Sequence, residues 1–252
     1  MTISSLNNTN NIYAQMSSGK RINKAADDAA GSAIVQKLNQ ETGGLGQGSK
    51  NIASGIDAVK IADGALSTVA DSLNRINELS IQASNGLMSA SDKASIQQEI
   101  DGLIQGIDQI GTTTKYNETN LLDGSAGNIH IAANPDGSGP QIAMQSSLSE
   151  SLGISGYNVT GSFDMSRISK ALETVSAQRS SYGATQNGLE YSYAQNQITR
   201  ENVMASTSRL EDLDFAKGVT EQQKKQLMNT IAIQMQKKKQ EDEAQRHLGL
   251  FN

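Results

Sequence analysis

Apolar residues recur every seven positions through the first half of the chain. Leu38, Leu45, Ile52, Val59, Leu66 and Leu73 form one column. Gly55, Ala62, Val69 and Ile76 form a second, three places on from Ile52. Two columns with that offset make the a/d seam of a helix that packs lengthwise on its neighbours. The pattern predicts a helix from about Asp28 to Ala83. At ~1.5 Å per residue it would be on the order of 80 Å long, more than the width of a small domain. Gly55 and Ala62 would permit close helix approach. Gly43, Gly44, Gly46 and Gly48 each weaken a helix by up to ~1 kcal/mol relative to Ala, so a bend or local fraying is expected there.

Ser84-Asn85-Gly86 reads as a stop, and Ser91 and Asp92 offer N-cap chemistry for a second helix. Its apolar positions, Ile96, Ile100, Leu103, Ile104, Ile107 and Ile110, follow an amphipathic three-four spacing. The two helices would form an antiparallel hairpin. From Gly111 to about Ser162 the chain turns rich in Gly, Asn, Ser and Thr. Asn128-Ile129-His130-Ile131-Ala132 alternates like a strand, and Asp123-Gly124 and Asp136-Gly137 are hairpin turn signals. Two or three short hairpins are expected, with disorder of part of the region as the competing reading.

A second arm begins near Phe163. Ile168, Val175, Tyr182, Leu189, Val203 and Leu210 fall on a seven-residue grid, and Asn196 fills its vacant place. A polar Asn at such a position sets register at a cost in stability. The expected fold is mainly α: a long antiparallel helical bundle or coiled coil, a small β-hairpin-rich tip at about 111–162, and helical termini lying at one end. Ile3, Leu6, Ile12, Tyr13 and Met16 make a short apolar face at the start. Phe215, Val219, Leu227, Ile231, Ile233 and Met235 make another after Leu210. Isolated helices of these lengths are marginal in water. They are expected to order by packing on other subunits.

Composition narrows the function. The 252 residues carry a net charge of −5, no Cys, and two Pro, Pro135 and Pro140, both in the centre. Without Cys there is no disulfide framework, thiolate metal site or cysteine nucleophile. The acidic balance gives no footprint for nucleic acid. No apolar run approaches the roughly 20 residues that span a bilayer, so membrane insertion is not expected. The start, MTISSLNNTNN, lacks the basic and apolar regions of a Sec-type signal. Aromatics at 4% suit narrow helix layers better than one large globular core.

Candidate chemistry is sparse. His130 and His247 have no metal-binding spacing. Asp27-Asp28 stands where acids favour a helix N-terminus. The Gly43–Gly48 run lacks the Lys-Ser/Thr ending of a phosphate loop. Lys237-Lys238-Lys239 is neutralised by Glu241-Asp242-Glu243. No polar constellation converges, so neither enzymatic activity nor a cofactor or metal is expected.

Several segments together resemble bacterial flagellins. Ser17-Ser18-Gly19-Lys20-Arg21-Ile22-Asn23 with Asp27-Asp28-Ala29-Ala30-Gly31 is similar to the N-terminal signature. Leu73 to Ala83 is similar to the second, and Ser95 to Ile100, Tyr116-Asn117 and Leu121-Leu122-Asp123-Gly124 continue it. In the second arm Arg179-Ser180, Gly183 to Asn187, Glu201-Asn202 and Ser208 to Asp214 match in order. Sixteen residues precede Ser17, fewer than the family usually carries there. The lysine and acidic block is more charged than the family's usual last helix, and Gly188 stands where Arg is common.

The resemblance implies a filament subunit, extracellular on the bacterial flagellum, with a short centre in place of large surface domains. It implies inner-core segments at 1–27 and 208–252 around a rod at 28–207. It implies self-assembly into a helical homopolymer, for which Leu6, Tyr13, Phe215, Leu227, Ile231 and Met235 are the candidates. The implied partners are a flagellar type III export apparatus, an export chaperone, and filament cap and junction proteins. Arg75, Leu79, Gln82 and Glu99 match positions that contact Toll-like receptor 5 in related flagellins. Arg75, Leu79 and Gln82 share one helix face by spacing. A hook–filament junction protein is the related alternative, and a secreted helical ligand that does not polymerise is the alternative of another class.

Overall fold

The structure, a computed structural model, describes the backbone of residues 3–249 and the side chains of residues 11–243. The side chains of Ile3, Leu6 and His247 therefore lie outside the described residues. In chain order the elements are α1 (Ile3–Ser18), α2 (Ala29–Ala83), α3 (Ala90–Thr113), β1 (Lys115–Tyr116), β2 (Thr119–Asn120), β3 (Asn128–His130), β4 (Gln141–Ala143), α4 (Ser166–Glu211) and α5 (Phe215–Gly249). Two compact units arise. One is Gly43–Arg200; the other joins Met1–Thr42 to Glu201–Asn252.

The Gly43–Arg200 unit is built on the α2 seam. Ile52, Val59, Ala62, Leu66, Val69, Leu73 and Ile76 are all fully buried. α3 adds Ile96, Ile100 and Ile107, and α4 adds Ile168, Ala171, Val175, Tyr182 and Leu189. Both helices run antiparallel to α2. Arg75 of α2 bonds Glu99 of α3, and Arg179 of α4 bonds Asp63 of α2 at 2.9 Å. The mainly α, antiparallel bundle expected from the heptads is what forms.

α3 starts differently from the expectation at Ser91-Asp92. Ser89 is the N-cap: its hydroxyl accepts from the Asp92 N–H, and the Asp92 carboxylate accepts from the Ser89 N–H. This reciprocal box needs an acid three residues beyond the cap, which Ser89 has and Ser91 lacks.

The glycine run does not fray α2, which is continuous from Ala29 to Ala83. Its glycines make room instead. A Cβ at Gly44 would lie 2.6 Å from the Pro135 Cβ, and one at Gly48 would lie 1.8 Å from the Ala133 carbonyl oxygen. The centre thus lays its Ala133–Pro135 loop directly on the helix backbone. Asn51 donates to the Ala132 carbonyl at 2.8 Å, and Asn196 donates to the Ala133 carbonyl at 2.7 Å. Asn196 therefore sits at its heptad place because a loop carbonyl needs a buried donor. Gly55 faces Ile131 and Ile142, so its small size admits hairpin side chains rather than another helix.

Two antiparallel hairpins form in the centre. β1 and β2 are joined by Asn117-Glu118, both at positive φ (45° and 67°), as a two-residue turn matched to strand twist requires. β3 and β4 pair Ile129 with Ile142, and Asp136-Gly137 lies in their loop. Asp123-Gly124 does not close a hairpin. The Asp123 carboxylate accepts from the Ser125 N–H and hydroxyl, making a bend between β2 and β3.

The rest of the centre is folded without regular structure. Leu121, Leu122, Leu152, Ile154, Tyr157 and Val159 are buried. Side chains of the helices satisfy its backbone. Gln97 of α3 donates to the Tyr157 carbonyl and accepts from the Val159 N–H. Asp108 accepts from the Ser149 N–H and hydroxyl, and the Tyr157 hydroxyl donates to Ser80 of α2.

The loop-on-helix contact makes opposite predictions for neighbouring glycines. Gly48→Ala drives a methyl into backbone and should cost about 3 kcal/mol, the upper range of overpacking. Gly43→Ala meets nothing within 4 Å and should stabilise by about 0.5–1 kcal/mol through helix propensity. Thermal or urea unfolding of the two variants checks both signs.

Candidate functional site

The unit formed by the chain ends is organised by a short crossing of two strands of backbone. α1 stops at Gly19, whose φ of +70° is the left-handed cap that glycine takes freely. Lys20 and Asp212 then make an antiparallel bridge. The Arg21 N–H donates to the Glu211 carbonyl at 2.6 Å, and the Leu213 N–H donates to the Gly19 carbonyl at 2.9 Å. Side chains tighten the crossing: Lys20 pairs with Glu211 at 2.7 Å, and Arg21 donates to the Leu210 carbonyl at 2.6 Å. The bonds lie where the main chain leaves α1 and α4, so they fix where α5 begins.

Asp27 and Asp28 shape the approach to α2. Asp28 accepts from the Gly31 N–H at 2.8 Å and caps the helix. Asp27 accepts from the Lys24 and Asn23 N–H groups and from the Asn11 amide of α1. Those bonds, the Lys24 backbone bond first, hold the Asp27 carboxyl below the usual carboxylate range.

α1 and α5 pair beside this crossing. Ile12 is buried, and the Tyr13 hydroxyl accepts from Gln226 at 3.0 Å. Yet α5 leaves much apolar surface uncovered. Leu227, Ile231 and Met235, at i, i+4 and i+8, form one stripe, with Leu227 61% and Met235 71% exposed. Phe215 at its first residue is 59% exposed and Tyr13 48%. Of the assembly candidates, five are thus surface residues of this unit, and Leu6 lies outside the described side chains. Among the described residues the charged tail of α5 holds one exposed pair, Lys239–Glu243 at 3.9 Å, which is worth little.

The second candidate surface belongs to α2 and α3. Arg75 donates to Glu99 at 2.9 Å and to Glu78 at 3.2 Å. These bonds, the one to Glu99 foremost, raise the Arg75 pKa above its ordinary value. Gln82 is exposed, whereas Leu79 is only 2% exposed and packs in the core. The structure therefore joins Arg75 and Glu99 on a polar face and sets Leu79 beneath it.

Two groups escaped the sequence reading. The Lys20-Arg21 and Glu211-Asp212 pairs are opposite in charge and each sits at a helix break, a signal that could have matched them. Gln97 carries no such signal, because its partners are backbone groups of an irregular segment.

Comparison with known proteins agrees across both arms. Residues 2–127 match the bacterial flagellin N-terminal helical region, and residues 165–246 match the bacterial flagellin C-terminal helical region. The chain is 32% identical over 242 residues to a flagellar filament 30.7 kDa core protein of Treponema maltophilum, covering 88% of this chain and 85% of that one. It is 33% identical over 240 residues to a flagellin of Halalkalibacterium halodurans, covering 91% and 87%. The crystal structure of Bacillus cereus flagellin superposes with a TM-score of 0.52 at 23% identity, covering 58% of this chain and 88% of that one. A putative flagellar hook-associated protein from Vibrio parahaemolyticus gives 0.62 at 15% identity, covering 74% and 100%. These two likenesses are of fold.

The Asp27 turn predicts a pH dependence. A carboxylate whose folded pKa is depressed adds stability above its unfolded pKa of about 3.9, and loses it as pH falls through the folded value. Acid titration followed by the Asn11 side-chain amide signals should show this tie intact at pH 5 (about one unit above that unfolded value) and released only below the ordinary carboxylate range. In Asp27→Asn the same signals should show no such transition.

Proposed function

Because the chain belongs to the bacterial flagellin family and is a structural subunit of the flagellar filament rather than an enzyme, we propose that it assembles by burying the α5 stripe on neighbouring copies. The exposed row of Leu227, Ile231 and Met235 carries this reading. Full burial of such side chains contributes roughly 1.5–3 kcal/mol each. That gain offsets the entropy of ordering the terminal segments in the filament. Tyr13 and Phe215 lie in the same unit and extend the surface, and Leu6 would add to it from α1.

In this reading segments 1–27 and 208–252 form the inner core and 28–207 the outer rod. The absence of Cys suits a chain exported unfolded by a type III apparatus, with an export chaperone, and folded at the filament end beneath cap and junction proteins. The protein works outside the cell, on the flagellum. Where filament monomers are free, the Arg75–Glu99 face with Gln82 is the surface offered to Toll-like receptor 5. Leu79 acts there only by supporting Arg75 from below.

Precipitant-induced assembly watched by electron microscopy tests the main reading. Leu227→Asp combined with Ile231→Asp should give no filaments while circular dichroism and the unfolding of the Gly43–Arg200 unit stay unchanged. Normal filaments from that variant would refute the reading. Arg75→Ala should weaken receptor binding by about fivefold or more, the effect of a contact worth over ~1 kcal/mol, measured with monomeric protein.

A further inference from the structure

The turn between α2 and α3 carries an Asn-Gly pair in a chemically open setting. Asn85 and Gly86 are exposed, and nothing lies within 4 Å of where a Gly86 Cβ would stand. The Asn85 carbonyl accepts from the Met88 N–H at 3.1 Å, and its side-chain oxygen accepts from the Leu87 N–H at 3.0 Å. That second bond folds the side chain back over the following backbone and polarises its carbonyl. Among the described residues nothing accepts from the Gly86 N–H, and nothing holds the Asn85 amide nitrogen. Leu87, next in the turn, is 93% exposed, so its side chain does not anchor this backbone, and packing on the core resumes only at Met88.

We propose that Asn85 is a site of spontaneous deamidation that converts it to aspartyl and isoaspartyl forms. The Gly86 backbone nitrogen attacks the Asn85 side-chain carbonyl carbon and loses its proton. The carbon–nitrogen bond to the side-chain amide breaks, and ammonia leaves. The resulting five-membered imide then takes up one water. Opening at one carbonyl gives Asp; opening at the other gives isoaspartate, whose main chain runs through the former side chain. Either product adds a negative charge at the turn. The isoaspartyl form also lengthens the main chain at the residue whose carbonyl holds the Met88 N–H.

The chain supplies its own control. Asn187-Gly188 is the same dipeptide, but it lies inside α4, where the Gly188 N–H is committed to the helix ladder. Attack there requires local opening first. The loop pairs Asp123-Gly124 and Asp136-Gly137 could close the same ring only after protonation of the carboxylate. Bonds from Ser125 and Ser138 hold those two carboxyls ionised below the usual range. The fold, rather than the dipeptide, therefore selects Asn85.

Incubating the purified full chain warm at mildly alkaline pH, where hydroxide assists removal of the attacking amide's proton, followed by peptide mass spectrometry and enzymatic labelling of isoaspartate, tests this. Modification at Asn85 should exceed that at Asn187 on the order of a hundredfold in the folded protein, the ratio set by a local opening step. In denaturant the two sites should react at similar rates. Asn85→Gln should remove the signal, and Gly86→Ala should slow it on the order of tenfold, with circular dichroism unchanged in both. Equal modification of Asn85 and Asn187 in the folded chain, or none at Asn85, would overturn the proposal.

Discussion

How closely backbone can approach the seam of α2 governs the Gly43–Arg200 unit. Gly44 and Gly48 bring the Ala133–Pro135 loop to the helix surface, and Gly55 admits Ile131 and Ile142. Each glycine gives up as much as ~1 kcal/mol of helix propensity. The return is a loop whose carbonyls reach donors on half-buried Asn51 and buried Asn196 and a hairpin that closes the apolar layer. Larger residues would hold the centre off the helix and leave those carbonyls without partners, a cost of about 1–3 kcal/mol per buried group.

The same amphipathic logic gives two outcomes along the chain. In the Gly43–Arg200 unit the seam positions of the helices bury one another, and the buried Gln97, Ser149 and Asn196 have hydrogen-bond partners. In the unit of the chain ends, a crossing of main-chain bonds at Gly19–Arg21 and Glu211–Leu213 fixes the geometry, while the stripe on α5 stays open. In the proposed assembly that open stripe is the surface left for burial on other copies.

Much of this was legible in the sequence because it is local or periodic. The heptads from Leu45 to Ile76 gave α2 nearly to the residue, and the antiparallel partners followed from them. The α5 stripe showed in the spacing of Leu227, Ile231 and Met235. What misled was whatever depends on a partner far along the chain. The glycine run looked like a weak helix because Pro135 and Ala133 meet it only in the fold. Leu79 shares a helix face with Arg75 and Gln82 by spacing, and spacing alone does not tell that it is the buried member of the three. Asp123-Gly124 has the composition of a hairpin turn, yet Asn117-Glu118 makes the turn, with Glu118 at a positive φ where glycine is usual. Ser89 was recoverable by rule, since its acid lies three places on at Asp92.

The seam of the Gly43–Arg200 unit is buried in the monomer, whereas the proposed assembly covers the α5 stripe only in the filament. Amide hydrogen exchange on monomer and filament measures this directly. Amides from Ile52 to Leu79 should be equally protected in both states, while those from Val219 to Met235 should exchange much faster in the monomer than in the filament. Equal protection of the α5 amides in the two states would contradict that assembly.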